Sequence, residues 1–230
     1  MNEVAVMTGA VRTPIGRRNG GLAGVHPADL LARVLRELIQ RTGIDPSDVG
    51  QVVGGCVNAV GEQAYNITRT AWLSAGLPAS VAGTTVDAQC GSGQQAVDLA
   101  IALVASGTVE IAIGCGVESM SRVPLGSSSD AGPGTPLPLA YYDRYNWISQ
   151  FEAAERIAVH WGIGRIEADT FALESQNRAA KGWMEGRFDR EVLPIEVDDL
   201  DEHGASLGTK RLVTADEGIR ESTLEGLGRL

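Results

Sequence analysis

The sequence predicts an α/β layer fold with a mostly buried, partly parallel sheet, followed by a helical domain. Three observations carry that prediction. Strand-like and helix-like segments alternate through the first 118 residues, the pattern of a sheet crossed by helices. Glycine is high, 29 of 230 residues, or about 13% against a usual share of about 7%, while aromatics make up only 5%. That pairing favours close backbone approach and tight turns over large aromatic anchors. After residue 118 the alternation stops, and residues 126–138 are rich in Ser, Gly and Pro, which is loop chemistry.

The elements follow in order. A short apolar strand is predicted at 4–8, then a turn-rich stretch, RTPIGRRNGG. A helix is predicted at 27–42: Leu30, Leu31, Val34, Leu35, Leu38 and Ile39 recur at helical spacing, Pro27 suits its first turn and Gly43 its stop. His26, just before Pro27, reads as its cap. Next come a strand at 52–57, a helix at 63–75 closed by Gly76, and a strand at 84–88 running into a helix at 91–105. A fourth strand is predicted at 110–115. Beyond a boundary near Glu118, helices are predicted at 151–161 and 167–185, the second carrying Phe171, Leu173 and Trp183. The acidic end of the chain reads as an excursion with few strand-length apolar runs. The domains predicted are therefore 1–118 and 119–230.

Composition excludes several classes. With 43% hydrophobic and 21% charged residues the chain is a soluble globular protein. Nineteen basic against 29 acidic side chains give a net charge of −10, a poor match to nucleic acid, whose phosphates need a basic surface. Residues 195–230 alone hold nine acids and four bases, a local charge of −5. The three cysteines, Cys56, Cys90 and Cys115, make no disulfide framework and fit a reducing compartment, so a cytoplasmic location is expected. The first residues include Glu3 and no long apolar core, so no signal peptide is expected. The apolar run 96–105 contains Asp98 and is too short for a bilayer, so no membrane insertion is expected. Nothing has metal-ligand spacing.

The segment TTVDAQCGSGQQAVDLAIALVASG carries the chemistry. A strand ends near Ala88, Cys90 follows, and a helix starts at once with small residues. At a helix N-terminus unpaired N–H groups and the dipole favour a thiolate. Gly91 and Gly93 leave room for a thioester, and the Cys90 N–H is placed to donate to an oxyanion. A packed, inert cysteine is the other reading that position alone allows. Cys56 and Cys115 lie in apolar strands and read as core. No histidine (His26, His160 or His203) falls in a segment resembling a catalytic motif.

A series of motifs goes further. Arg12 to Gly16 reads R-T-P-I-G, residues 54–57 G-G-C-V, residues 85–93 T-V-D-A-Q-C-G-S-G, and residues 114–124 G-C-G-V-E-S-M-S-R-V-P. Residues 154–163, 169–179 and 216–227 continue the series. In this order the chain resembles the thiolase family over nearly all its length. The resemblance implies a thiolase-like layered α/β N-terminal domain with a helical loop domain. It implies that Cys90 attacks the 3-keto carbonyl of a 3-ketoacyl-CoA, that acetyl-CoA leaves, and that CoA then releases a shortened acyl-CoA. Coenzyme A is thus a co-substrate, and no permanently bound cofactor or metal is implied.

Other positions follow from the same resemblance. Arg220 matches the arginine that meets the CoA nucleotide; its bland reading is a surface arginine offsetting Glu217 and Glu221. The block Ser149-Gln-Phe-Glu-Ala-Ala-Glu155 replaces the family's H-M-G-x-T-A-E, so Gln150 and Phe151 are expected in a substrate pocket not tuned to acetoacetyl-CoA. Asp87 stands for a common Asn and Gln94 for a common Leu. TVDAQCGSGQQA and QFEAAERIA look most like bacterial thiolases that shorten sterol side chains. The family's second domain, with its N-E-A-F, G-H-P and C-x-G motifs, is expected to be missing, which leaves the isolated chain without its general base and inactive. A homodimer or homotetramer is implied, or a partner chain supplying that half. Two alternatives stand beside this: a non-catalytic CoA-binding scaffold subunit, and a ketoacyl-synthase-like condensing enzyme.

Overall fold

Pro27 opens the first helix, α1 (Pro27–Thr42), where a missing N–H costs nothing. His26 Nδ1 accepts from Ala28 N at 3.2 Å, and Gly43, at φ +67°, ends the helix with its N–H donated to Ile39 O. The structure is a computed structural model describing residues 4–130, 133–201 and 205–230. After α1 come β1 (Gln51–Gly55), α2 (Ile67–Ser74), β2 (Ala82–Val86), α3 (Ser92–Ala105) and β3 (Ala112–Gly116). β1 is central and pairs in parallel with both β2 and β3, with Gln51 opposite Ala82 and Ala112. Parallel neighbours need crossovers, and the helices supply them.

The core is built from several elements. Leu31 and Leu35 of α1 meet Val52 of β1, Ala71 and Trp72 of α2, and Ile113 of β3. Trp72 is fully buried, and its indole N–H donates to Pro78 O at 2.8 Å, so burial leaves no donor unpaired. Two glycines of β1 let the helices close in. A Cβ at Gly54 would overlap Thr68 Oγ1, and one at Gly55 would overlap the Ser92–Gly93 peptide at the start of α3. Helix α2 starts later than its pattern suggests. Asn66 caps it, its side chain accepting from Arg69 N, while residues 61–63 form a separate 3-10 turn.

Two sequence expectations fail. Residues 4–8 form no strand, and Val4, Val6 and Met7 are exposed. A cavity of about 680 Å³, lined by residues 5–13 together with α1, α3 and β3, opens where ladder bonds to β3 would have to form. The acidic end is no mere excursion. β4 (Ile195–Leu200) and β5 (Ser206–Val213) pair as an antiparallel hairpin. Ile195, Val197 and Val213 turn inward onto Leu22, Val25 and Leu30, and the intervening Glu196 and Asp198 turn out.

The chain divides into two compact units, Met1–Gly132 with Arg190–Glu217, and Pro133–Asp189 with Gly218–Leu230. This differs from the cut near Glu118 for two physical reasons. Residues after 118 are tied back to the first unit by Arg122, which pairs with Glu62. The hairpin returns to α1, where Arg33 donates to Glu196 O at 2.5 Å. A further clasp holds the R-T-P-I-G loop. Asp216 accepts from Arg12 and from Ile15 N at 2.7 Å, and Glu217 accepts from Arg17 N and Gly21 N.

A short helix, α4 (Ser127–Asp130), closes the first stretch of that unit. The second unit holds α5 (Leu139–Tyr142), α6 (Gln150–Trp161), α7 (Arg165–Met184) and α8 (Leu224–Leu227). Ser149 Oγ caps α6 by accepting from Glu152 N at 3.2 Å, and Gly162, at φ +66°, ends it. Arg165 pairs with Asp169 one turn along α7 and also donates to Leu227 O of α8. No helix of the described residues is long and apolar enough to cross a membrane.

Candidate active site

Five residues between β2 and α3 turn the chain from strand to helix. Asp87 Oδ1 accepts from Gln89 N at 2.7 Å, an Asx turn that bends the backbone straight after the strand. Gln89 then sits at φ +52°, a left-handed conformation that costs a non-glycine residue about 1–3 kcal/mol when held. Ser92 holds it. Its buried Oγ accepts from Ala88 N at 2.9 Å and donates to Gln89 O at 2.6 Å, so one hydroxyl spans the turn. Gly91 N and Ser92 N close the loop onto Ala88 O and Gln89 O.

Cys90 rides at the top of this turn and is exposed. It stands two residues before the first residue of α3, with Gly91 as the N-cap. A Cβ at Gly93 would meet nothing within 4 Å, while one at Gly91 would come to 3.3 Å from Ala88 O. The cavity of about 680 Å³ includes no residue of this turn, and neither does a polar cleft of about 320 Å³ near His26, Arg122 and Lys210. Cys90 is an exposed thiol that lines neither of these two cavities.

The other two thiols differ. Cys56 is buried beyond the end of β1, where its N–H donates to Val86 O. Burial first, then the negative charges of Glu118 and Asp87, push its thiol up to about 12. Cys115 lies within β3, half-buried as a residue, and removal of its thiol from water pushes that group up to about 12 as well. Neither is ionised near neutral pH, as their reading as core residues requires.

Glu118, just past β3, is a structural acid. Its carboxylate accepts from Val57 N at 2.7 Å, Gln63 Nε2 at 2.9 Å, Asn58 Nδ2 at 3.1 Å and Asn58 N at 3.3 Å. Burial works to raise its pKa, but these four bonds outweigh it and hold the carboxyl below the usual range. Gln63 Oε1 in turn accepts from Ser119 N at 2.7 Å. The network joins the end of β1 to the end of β3, beside the α3 start that Gly55 touches. Two buried amide side chains, Asn58 and Gln63, with one acid after a strand were its only signal in the sequence.

With this geometry in view, comparison with known proteins places the chain. The family model described as "Thiolase, N-terminal domain" matches residues 5–230. The chain belongs to the thiolase family. The steroid 3-ketoacyl-CoA thiolase of Mycobacterium tuberculosis is 40% identical over all of this chain and 56% of its own length. A 3-ketoacyl-CoA thiolase of Aliivibrio fischeri is 40% identical over 98% of this chain and 56% of its own. Among solved structures, the acetyl-CoA acetyltransferase of Bacillus anthracis superposes with a TM-score of 0.81 at 32% identity, covering 96% of this chain and 56% of that one. The chain thus spans about half the length of the thiolases it matches. The resemblance read from the motifs and the layered α/β class are both borne out.

The remaining positions implied by the thiolase resemblance lie in the second unit. Gln150 is the first residue of α6, and Phe151 beside it is 75% exposed. Arg220 is exposed. Its backbone N–H donates to Gln176 Oε1 at 3.1 Å, and its guanidinium pairs with neither Glu217 nor Glu221. In the first unit, Gln94 donates to Asp98 Oδ1 along the exposed side of α3. His160 stacks edge-on against Trp161 at 5.4 Å, and His203 lies outside the described residues. Among the described residues no three His, Cys, Asp or Glu side chains cluster as metal ligands.

Proposed function

We propose that this chain carries the acyl-accepting nucleophile of a thiolase, with Cys90 as the attacking group and 3-ketoacyl-CoA as substrate. The observation that supports it is the contrast among the three thiols. Cys90 alone is exposed, on a strained turn before a helix, while Cys56 and Cys115 are held protonated by burial. The Cys90 sulfur attacks the C3 carbonyl carbon; the C2–C3 bond breaks, its electron pair stays on C2, and C2 takes a proton to leave as acetyl-CoA. The thiol of a second CoA then attacks the acyl–sulfur carbonyl, returning the cysteine and releasing an acyl-CoA two carbons shorter. CoA is a co-substrate here, and the chemistry calls for no bound metal or redox group.

The acyl chain in this reading is bulky and sterol-derived. Ser149, Gln150 and Phe151 stand where the acetoacetyl-CoA thiolases have His, Met and Gly, and the Mycobacterium tuberculosis relative is by name a steroid thiolase. Arg220, with its guanidinium free of its acidic neighbours, serves the nucleotide end of CoA in the same reading. A cytoplasmic homo-oligomer is the assembly it entails. The test is acyl capture. Incubation with a 3-ketoacyl-CoA, then peptide mapping by mass spectrometry, is expected to find the acyl mass on the Cys90 peptide and to lose it in Cys90→Ala. Acylation of Cys56 or Cys115 instead, or none at all with the C-terminal half of a thiolase supplied in trans, overturns the proposal.

A further inference from the structure

The turn under Cys90 contains two side chains with no place in the chemistry yet in direct contact with the backbone that presents the sulfur. Ser92 is buried at 4% exposure, although it stands in the first turn of a helix whose opposite side is open to solvent. Its hydroxyl is fully used, accepting from Ala88 N at 2.9 Å and donating to Gln89 O at 2.6 Å. These are the two residues immediately before Cys90, and the second is the one at φ +52°. Asp87 adds a bond from below, accepting from Gln89 N at 2.7 Å, with its Oδ1 3.5 Å from Ser92 Oγ. Both backbone polar groups of Gln89, its N–H and its C=O, are therefore held by side chains. A left-handed non-glycine residue persists only where its surroundings over-determine it, and here the surroundings are Ser92 and Asp87.

We infer that Ser92 and Asp87 are positioning residues that lock Gln89 in its left-handed conformation and so hold the Cys90 sulfur exposed above the start of α3. Their effect passes through the backbone of residues 88–90, and Gly55 supports it from beneath, because only glycine lets β1 press against the Ser92–Gly93 peptide. Asp87 also bears on how this chain departs from the common thiolase pattern. Asn would supply the same side-chain carbonyl oxygen to Gln89 N, so the turn requires an acceptor at position 87 rather than a charge.

The inference rests on the reading of Cys90 as nucleophile, and the experiment separates the two. Iodoacetamide labelling of the 230-residue chain is followed at Cys90, Cys56 and Cys115 by peptide mass spectrometry, with thermal melting recorded for each variant. In the wild type, Cys90 is expected to label fastest; failure of that result alone defeats the nucleophile reading. Ser92→Ala is expected to slow Cys90 labelling by about fivefold, the size of one net hydrogen bond, with Cys56 and Cys115 unchanged. Ser106→Ala, which removes a hydroxyl bond to Leu103 O at the far end of α3, is the control for helix stability and is expected to leave Cys90 at the wild-type rate. Should Ser92→Ala not fold, the exposed Asp87 decides: Asp87→Ala slows Cys90, while Asp87→Asn keeps the acceptor and restores the wild-type rate or exceeds it. Equal Cys90 rates in wild type, Ser92→Ala and Asp87→Ala overturn the positioning role while leaving the nucleophile intact. A slowdown in Asp87→Asn as large as in Asp87→Ala overturns it too, since charge rather than turn geometry would then be at work.

Discussion

Trp72 on α2 and Trp161 on α6 are both helical tryptophans, yet the first is fully buried and the second is 73% exposed. The difference runs through their units. In the first unit the apolar residues of α1, α2 and β1 meet one another, and four buried polar side chains, Asn58, Gln63, Thr68 and Ser92, are all hydrogen-bonded. In the second, Phe151, Val159, Trp161, Ile166, Phe171 and Met184 are exposed, and its helices rest on local devices: the Ser149 cap, the Gly162 stop, and ion pairs one turn apart at Arg156–Glu152 and Arg178–Glu174. Packing forms one region and helix-end chemistry the other. Helical periodicity in a sequence reports an amphipathic face, but it does not report whether the same chain covers that face.

The sharpest way to break this comparison is to remove the same side chain from both units. Trp72→Ala should cost about 4 kcal/mol, the transfer energy of the ring plus the cavity it leaves. Trp161→Ala should stay within about 0.5 kcal/mol, as an exposed position does. Urea midpoints measure both. Comparable losses would show that the second unit is packed in solution and that the contrast is not real.

A second prediction probes the polar half of the first unit. Glu118→Gln turns an acceptor of four bonds into a group with one acceptor oxygen, and should cost about 2 kcal/mol at pH 7. The pH dependence gives the sign. Because the folded Glu118 carboxyl is held below the usual glutamate value, its stabilisation is complete above the unfolded pKa of about 4.3 and fades as pH falls through the lower folded value. The stability gap between wild type and Glu118→Gln should therefore shrink on acidification from pH 5 towards pH 3. A constant gap would mean the bonds do not depend on the charge.

Much of this was legible in the sequence, and the exceptions have causes. α1 was readable to the residue because periodicity, Pro27 and Gly43 agree. The strand-to-helix junction at Cys90 was readable because a strand-like run ends just before it and small residues open a helix just after it. The hairpin was missed although I-E-V-D alternates with period two; weight fell on the charges of Glu196, Asp198 and Asp199 rather than on their spacing. The strand at 4–8 was over-read because an apolar run specifies burial and not the ladder partner that a strand needs. What Ser92 and Asp87 do beneath Cys90 was not legible at all, since hydrogen bonds around a left-handed Gln89 leave no periodicity to read.

The smallest prediction returns to the helix-end chemistry of the second unit. Ser149→Ala deletes the bond that Glu152 N donates to the cap of α6 and should cost that helix about 1 kcal/mol. α6 is held locally, so the loss should appear as faster amide exchange in its first turn, at Glu152 and Ala153, with the urea midpoint of the first unit unmoved. The corresponding cap in the first unit, Asn66 on α2, gives the contrast: Asn66 also accepts from Thr85 Oγ1 and donates to Gly83 O on β2, so Asn66→Ala should lower that midpoint itself. If Ser149→Ala moves the midpoint as far as Asn66→Ala does, caps in both regions feed one cooperative core, and local stabilisation of α6 is the wrong account.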